Sequence, residues 1–401
     1  MVDTLVSGIF LFICKSLREG KNQMKSVLIG PVYPYKGGIS HYTDLMYRTL
    51  VKRHEVEMVS YSLQYPKVMY RKEQKDYSNK SFEIPDTKFW INTANPINWI
   101  RVAKRIRKMK PQAVIIQWWH PYFAPCYFVM AKLLKRIKIM FVCHNVFPHE
   151  HFIGDRFLSK MVLRQGNCFL VQSHKDEHDL KMIKEDAQYV VTPHPTYEVF
   201  KMKNMGMQEA RQQLKIDEHE QVILFFGFVR EYKGLKYLIE AMPQIIKKLP
   251  KIHLWVVGDF GDDKNDYYNL IEELSIKEYI NVVEGYVKDT EVEKYFAAAD
   301  LVVLPYVSAT QSGIVQIAYG FQKPVVVTDV GGLPDVVDDN KTGYVVESRN
   351  PNALAEAVIK FYMNSDNNWK ENIVQKAKEF SWEVMREKID KLLMNTKIDM
   401  R

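Results

Sequence analysis

The chain has 401 residues, 47% hydrophobic and 12% aromatic, with 56 Lys+Arg against 48 Asp+Glu for a formal charge of +8. That apolar content excludes a wholly disordered chain, and 18 Gly and 17 Pro spread without period exclude a collagen or low-complexity fibre. Cys14, Cys126, Cys143 and Cys168 show no C-x-x-C spacing and sit in apolar runs, which argues for a reducing compartment and against a disulfide framework or a zinc knuckle.

Residues 1–23 read as an uncertain extension. The apolar run from Leu5 to Cys14 has about signal-peptide length, yet no positive charge precedes it and no small-residue cleavage site follows. Met24 then leads directly into KSVLIGPVYP, which reads as a first strand. The extension is either a start-site artefact or, as the lesser reading, a membrane anchor. No segment has the roughly 18 to 20 consecutive apolar residues that a spanning helix needs.

Short apolar runs then alternate with amphipathic segments, the pattern of parallel sheets with crossover helices. In the first half, strands are expected near 26–30, 56–61, 113–117, 139–143, 168–171 and 189–192. Helices fall near 41–52, 98–110, 122–138, 156–165 and 175–184. Residues 62–96 are polar and tyrosine-rich, and read as an insertion loop rather than a core element. Residues 192–220, with Pro193, Pro195 and a polar helix, read as a linker. In the second half, strands are expected near 222–226, 254–258, 282–284, 301–304, 324–328 and 343–346. Helices at 368–378 and 381–395 follow. The fold class is α/β, with two doubly wound, Rossmann-like domains over residues 24–200 and 201–380 and a closing helix over 381–401.

Charge separates the two halves. Residues 1–200 sum to +13 and residues 201–401 to −5, which recovers the total of +8. Within the basic half, IRVAKRIRKMK (100–110) carries six cations and no acid, with Arg101, Lys104, Arg105 and Lys108 at helical spacing, and Lys132, Lys135, Arg136 and Lys138 follow. Such a stripe suits the phosphates of an anionic membrane surface, or of nucleic acid as the lesser reading, or is a solvated helix face.

Four stretches have the composition of sites. In PYKGGISHY a strand runs into Gly37 and Gly38 and then a helix, so backbone amides and a helix start can meet a phosphate or oxyanion. In FGFVREYKGLKYLIEA, Arg230 and Lys233 follow a strand at the end where open α/β sheets bind ligands. There a departing diphosphate needs cations. In LPYVSATQSGIVQIAYGFQKPVVVTDVGGLPD, Ser312 is placed to cap a helix while Gly313 and Ile314 offer amides. QWWHPYF and CHNVFPHE place His120, His144, Asn145, His149 and Glu150 at strand ends as hydrogen-bonding or acid/base groups. Their spacing is too irregular for a metal site, and no GxGxxG marks a dinucleotide.

On these residues the chain resembles the retaining GT-B glycosyltransferases of the glycogen-synthase-like group, glycosyltransferase family 4. The resemblance runs from 222 to 346 through YKGLKYLIEA, WVVGDF, FAAADLVVLPY, KPVVVTDVGGLPD and KTGYVVE, and more loosely through GPVYPYKGGISHY, CHNVFPHE and FSWE. It implies two Rossmann-like domains facing across a cleft. It further implies transfer of a sugar from a nucleoside-diphosphate sugar to a saccharide or polyprenyl-linked acceptor, with retention of configuration and no metal or other cofactor. A role in bacterial surface polysaccharide synthesis is expected, in the cytoplasm or on the inner face of the cytoplasmic membrane, with no nucleic-acid partner. Lys233, Arg230 and His144 are the expected catalytic residues. Gly37, Gly38, Val287, Gln311, Ser312, Gly313, Ile314 and Gln316 would bind donor, while Trp118, Trp119, His120, Asn145, His149 and Glu150 are acceptor-side candidates. Two departures stand out: Phe228 occupies the place of a family arginine, and Ala309 and Ile317 the places of a family glutamate pair. A non-catalytic sugar-nucleotide sensor and a nucleotide-sugar 2-epimerase are the alternatives.

Overall fold

The computed structural model of the chain describes residues 23–70, 73–148, 152–261, 263–364 and 368–398. Cys14 with the rest of 1–22, and the candidates His149 and Glu150, lie outside the described residues. Two compact units emerge. Unit 1 takes the chain to Leu170, adds Leu180–Val190 and resumes at Arg386, while unit 2 holds Val171–Asp179 and Val191–Met385.

Unit 1 is built on seven strands: β1 (Lys25–Ile29), β2 (Glu55–Leu63), β3 (Lys88–Asn92), β4 (Ala113–Trp118), β5 (Lys138–Cys143), β6 (Cys168–Val171) and β7 (Gln188–Val191). Their order is β3-β2-β1-β4-β5-β6-β7, and each register resolved between neighbours is parallel. The helices are α1 (Gly38–Leu50), α2 (Pro96–Lys108), α3 (Ala124–Leu133) and α4 (Asp155–Leu163), with α5 (His174–Ile183) divided between the units after Asp179. The central strands read as unbroken apolar runs because helices cover both faces of such a sheet, and Val27, Leu28, Val114, Ile116 and Phe141 are wholly or almost wholly buried. Helix α2 starts where expected from its chemistry: Pro96 occupies its first turn and the Asn95 side chain accepts from the Asn98 amide.

One expectation fails here. Residues 62–96 are not simply an insertion loop, because β2 continues to Leu63 and β3 pairs parallel with it at the sheet edge. The strand KFWIN escaped notice because an edge position leaves most of it only half-buried, without the apolar run of a central strand.

Unit 2 repeats the plan with α6 (Met207–Leu214), β8 (Gln221–Phe226), α7 (Leu235–Lys248), β9 (Ile252–Gly258), α8 (Lys264–Glu273) and β10 (Ile280–Glu284). Then come α9 (Asp289–Ala298), β11 (Leu301–Leu304), α10 (Gly313–Gly320), β12 (Val325–Thr328), β13 (Gly343–Val346), α11 (Pro351–Met363), α12 (Trp369–Ala377) and α13 (Trp382–Asn395), whose second half belongs to unit 1. The strand order is β10-β9-β8-β11-β12-β13, so the chain reverses its direction of travel between β8 and β11. Ile223, Phe225, Leu254, Val256, Val303 and Val326 form the core beneath α7 and α11. Cys126, Cys143 and Cys168 are buried thiols without disulfides. Among the described residues no helix is long and apolar enough to cross a membrane.

Candidate functional site

In a doubly wound sheet, the strands on either side of the reversal send their following loops apart and leave a crevice at their carboxyl ends. In unit 2 those strands are β8 and β11, which places Gly227 to Lys233 opposite Pro305 to Gly313. Lys233 Nζ lies 3.0 Å from the position a Cβ on Gly227 would take, and Ile314 Cδ1 lies 3.8 Å from the same position. Absence of a side chain at Gly227 therefore keeps space between the ammonium and the start of α10. The ammonium also sits over the Tyr306 ring, 5.5 Å from its centroid. Burial lowers the Lys233 pKa, nearby Tyr232 opposes that effect and Arg230 adds to it. A desolvated cation gains most from an arriving anion.

Tyr306 and Ser312 continue the cluster. The two hydroxyls are 3.3 Å apart, and burial pushes the Tyr306 phenol up to about 12, so it stays neutral. The loop after β11 is fixed from its neighbours: Thr328 Oγ1 donates to the Tyr306 carbonyl at 2.6 Å and Ser348 Oγ donates to the same oxygen at 3.0 Å. Ser312 caps α10 as expected, accepting from the Ile314 amide at 3.3 Å. The Ile314 N–H is thus engaged in the cap, whereas the Gly313 N–H has no acceptor among the described residues. Gly331, at the turn after β12, must be glycine twice over: its φ is +57°, and a Cβ would lie 1.6 Å from the Ala309 carbonyl oxygen.

Arg230 donates from Nη1 to the Val229 carbonyl at 2.7 Å, and its guanidinium lies 5.7 Å from the Phe228 centroid. The cation displaced by two positions from the family arginine thus returns over the phenyl ring that stands in that arginine's place. Gln311 donates to the Gln172 carbonyl at 2.6 Å, which anchors the capping loop within the unit. Gln316 is fully buried, and neither atom of its carboxamide has a partner among the described residues. It therefore lies beneath the site's surface, not on it. Val287 is half-buried in the loop between β10 and α9, three residues past the strand end.

In unit 1 the direction of travel reverses between β1 and β4. Gly37 and Gly38 open α1 there, and a Cβ on either would meet nothing within 4 Å. His144, at the end of β5, is 6% exposed; its Nε2 pairs with Gln117 Oε1 at 2.7 Å, and its ring meets Tyr42 edge-on at 4.7 Å. An imidazole protonated at Nε2 donates this bond, so Gln117 sets the tautomer. Trp119 is half-buried, donates Nε1–H to Tyr65 Oη at 3.0 Å and packs 4.3 Å from Phe123. His120 accepts the Tyr122 amide at Nδ1 and stacks 5.9 Å from Phe152, while Asn145 stands half-buried beside His144. Trp118 differs from its neighbours: β4 extends through it and turns its indole into the core, where it is 1% exposed and donates to the Val146 carbonyl. It packs the sheet and offers no sugar-stacking face.

Sequence reasoning missed Tyr306 and Gln117. Tyr306 had a usable signal, since it directly follows Leu304 and Pro305 at the carboxyl end of β11. Gln117 had none, because its partner comes from the next strand. Among the described residues no three His, Cys, Asp or Glu side chains converge as a metal site would require.

Comparison with known proteins fits this geometry. The family described as glycosyl transferases group 1 matches residues 206–380, and Glycosyltransferase Family 4 matches residues 36–202. An uncharacterized glycosyltransferase of Methanocaldococcus jannaschii is 31% identical over 178 residues, 43% of this chain and 44% of that protein. The D-inositol 3-phosphate glycosyltransferase of Corynebacterium glutamicum is 26% identical over 271 residues, 62% of this chain and 64% of that protein. The chain thus spans less than two thirds of the length of these relatives. Among solved structures, HepE of Anabaena in complex with UDP and glucose superposes with a TM-score of 0.71 at 16% identity, covering 93% of this chain and all of that one, a likeness of fold alone. Each model covers one half of the chain and both sheets are doubly wound, so over its two halves the chain is similar to the glycosyltransferases of group 1 and of family 4.

Proposed function

We propose that the protein transfers a sugar from a nucleoside-diphosphate sugar to a saccharide or lipid-linked saccharide acceptor, with retention of anomeric configuration. The observation that carries this reading is the desolvated Lys233 ammonium beside the Ser312-capped start of α10, at the reversal point of the unit 2 sheet. UDP is the first donor nucleotide to try, since HepE was solved with UDP and glucose.

In the proposed reaction the bond between the anomeric carbon and the diphosphate breaks while the acceptor hydroxyl bonds to the same face of the sugar. The hydroxyl proton passes to the departing diphosphate oxygen. Charge builds on that diphosphate, where Lys233, Arg230 and the Gly313 amide would stabilise it. Side-chain cations then do what a metal does elsewhere, so the reaction is proposed to need none. Val287 offers backbone contacts to the base, and Gln311 supports the donor loop through its bond to the Gln172 carbonyl. His144 is proposed to hydrogen-bond the transferred sugar, and Gly37 and Gly38 to offer unobstructed backbone to the donor at the start of α1. Trp119, His120 and Asn145 are the acceptor-side residues retained from the sequence reading. The test is release of nucleotide from a panel of sugar nucleotides with and without saccharide acceptors. Conversion of UDP-sugar without acceptor or nucleotide release would instead indicate the epimerase, and binding without either would indicate the sensor.

A seat on the inner face of the cytoplasmic membrane, in surface polysaccharide synthesis, belongs to the same proposal. Its support is in unit 1. Helices α2 and α3 pack together, and Arg101, Lys104, Arg105, Lys108, Lys132 and Arg136 are all exposed, beside exposed Ile97, Ile100 and Leu133. No Asp or Glu occurs between Asp86 and Glu150. Cosedimentation with phosphatidylglycerol vesicles, lost at high salt, is the expected result; retention of the protein in the supernatant at low salt would return the stripe to a solvated surface.

A further inference from the structure

A cavity of about 290 Å³ opens in unit 2 at the other end of the sheet from the candidate donor site. Its walls include Lys201, Lys323 and Lys370. Lys323 precedes β12, so the cavity lies at the amino ends of the strands, whereas Gly227, Lys233 and Ser312 lie at their carboxyl ends. The two places are separated by at least a strand length, about 13 Å for four residues.

The charge in the cavity is not balanced. Glu293 is the acid in the wall, and both its oxygens are taken by the chain it faces: Oε2 accepts the Lys203 amide and Oε1 the Met205 amide, each at 2.8 Å. Lys323 donates to the Ala297 carbonyl at 3.0 Å, and Lys201 lies over the Phe321 ring at 5.6 Å. Among the described residues none of the three lysines has a carboxylate within ion-pair distance. Nearby Asp300 is itself held by Arg211 at 3.0 Å and by the Val222 amide at 2.8 Å. Burial lowers the Lys323 pKa to about 8, with Asp300 opposing and Arg211, Lys201 and Lys370 adding to it.

A part-buried lysine facing two others, with Glu293 the acid in the wall and its oxygens already engaged, is costly to keep charged, and an anion in the cavity relieves that cost. Lysine ammoniums are point charges that suit phosphate oxygens. Phe321 and Met205 supply apolar wall, and Asn204 and Gln322 supply hydrogen-bonding groups, the mixture of a small-molecule pocket. We propose that this cavity is a second ligand site, distinct from the donor site, for a phosphate-bearing small molecule of about sugar-phosphate size, held by Lys201, Lys323 and Lys370.

The test is calorimetric titration of the full chain with inorganic phosphate and with a hexose phosphate while the donor site is kept filled by excess UDP. One further site is expected. The double variant Lys201→Gln/Lys370→Gln should weaken it at least tenfold with melting temperature and UDP affinity unchanged, and Lys233→Ala should leave it intact. Binding should also weaken as pH rises from 7 to 9, because the Lys323 ammonium is lost through that range and bound anion must draw a proton back onto it. No second site, equal binding in the double variant, or loss in Lys233→Ala would each overturn the proposal. UDP binding, read separately, keeps its failure apart from failure of the donor assignment.

Discussion

In unit 2 the segments leaving the reversal point carry Gly227, Arg230, Lys233, Tyr306, Ser312 and Gly313, which together supply backbone, two hydroxyls and two cations. In unit 1 the corresponding edge carries Trp119, His120, His144 and Asn145, and what stands there is rings and carboxamides pinned by Tyr65, Phe123 and Gln117. The difference fits what each surface is proposed to meet. Diphosphate is compact and charged, so it favours close backbone and point charges. Sugar faces are broad and neutral, so they favour flat apolar rings with hydrogen bonds at fixed angles.

The comparison can be broken first at the two adjacent tryptophans. Trp118→Ala should cost about 3–5 kcal/mol of stability because it empties a core site, measured as a loss in the denaturant midpoint, whereas an unfolding curve close to wild type would put the indole at the surface. Next, Lys233→Ala should lower turnover by about 10²–10³-fold with the melting curve unchanged; near-normal transfer would remove the diphosphate role from unit 2. The same residue gives a pH signature. The Lys233 ammonium is pushed below the usual lysine range, so nucleotide affinity should decline on the alkaline side earlier than an ordinary lysine would make it, and the decline should vanish in Lys233→Ala. Smaller again, Ser312→Ala should remove the cap of α10 at a cost of about 1 kcal/mol and weaken nucleotide binding. Finally Trp119→Phe should move stability by no more than about 1 kcal/mol, the value of its bond to Tyr65, while raising the acceptor KM and sparing the donor KM. An effect on donor alone would dissolve the division of labour.

How far the sequence could be read differs in the same way. The unit 2 edge was legible because single residues at strand ends carry it: the strands at 301–304 and 343–346 lie where their apolar runs stop, and Ser312 caps the helix that its position predicts. Trp118 and Trp119 could not be told apart, since a parallel strand covered on both faces has no alternation to say which of two neighbours points inward. The pairing of Gln117 with His144 joins neighbouring strands β4 and β5 and leaves no local trace. Strand β3 was lost in a polar stretch because edge strands are not required to be apolar. The Arg230 side chain's return over Phe228 depends on rotamers, which no spacing rule supplies.

The Tyr306 carbonyl receives hydroxyls from Thr328 and Ser348, which stand at the ends of two further strands. The loop that leads to Ser312 is therefore held by its neighbours before any ligand arrives, and the entropy of ordering it has already been lost in folding. Ligand binding at this edge should accordingly be fast and show little loss of backbone motion from Pro305 to Gly313. The Val307 and Ser308 amide hydrogens, both accepted by the Tyr232 carbonyl, should exchange slowly even in the free protein. Replacing Thr328 by Val, which keeps the shape and deletes the hydroxyl, should loosen that loop and weaken nucleotide binding through added disorder, although Thr328 is wholly buried and need not touch the nucleotide itself.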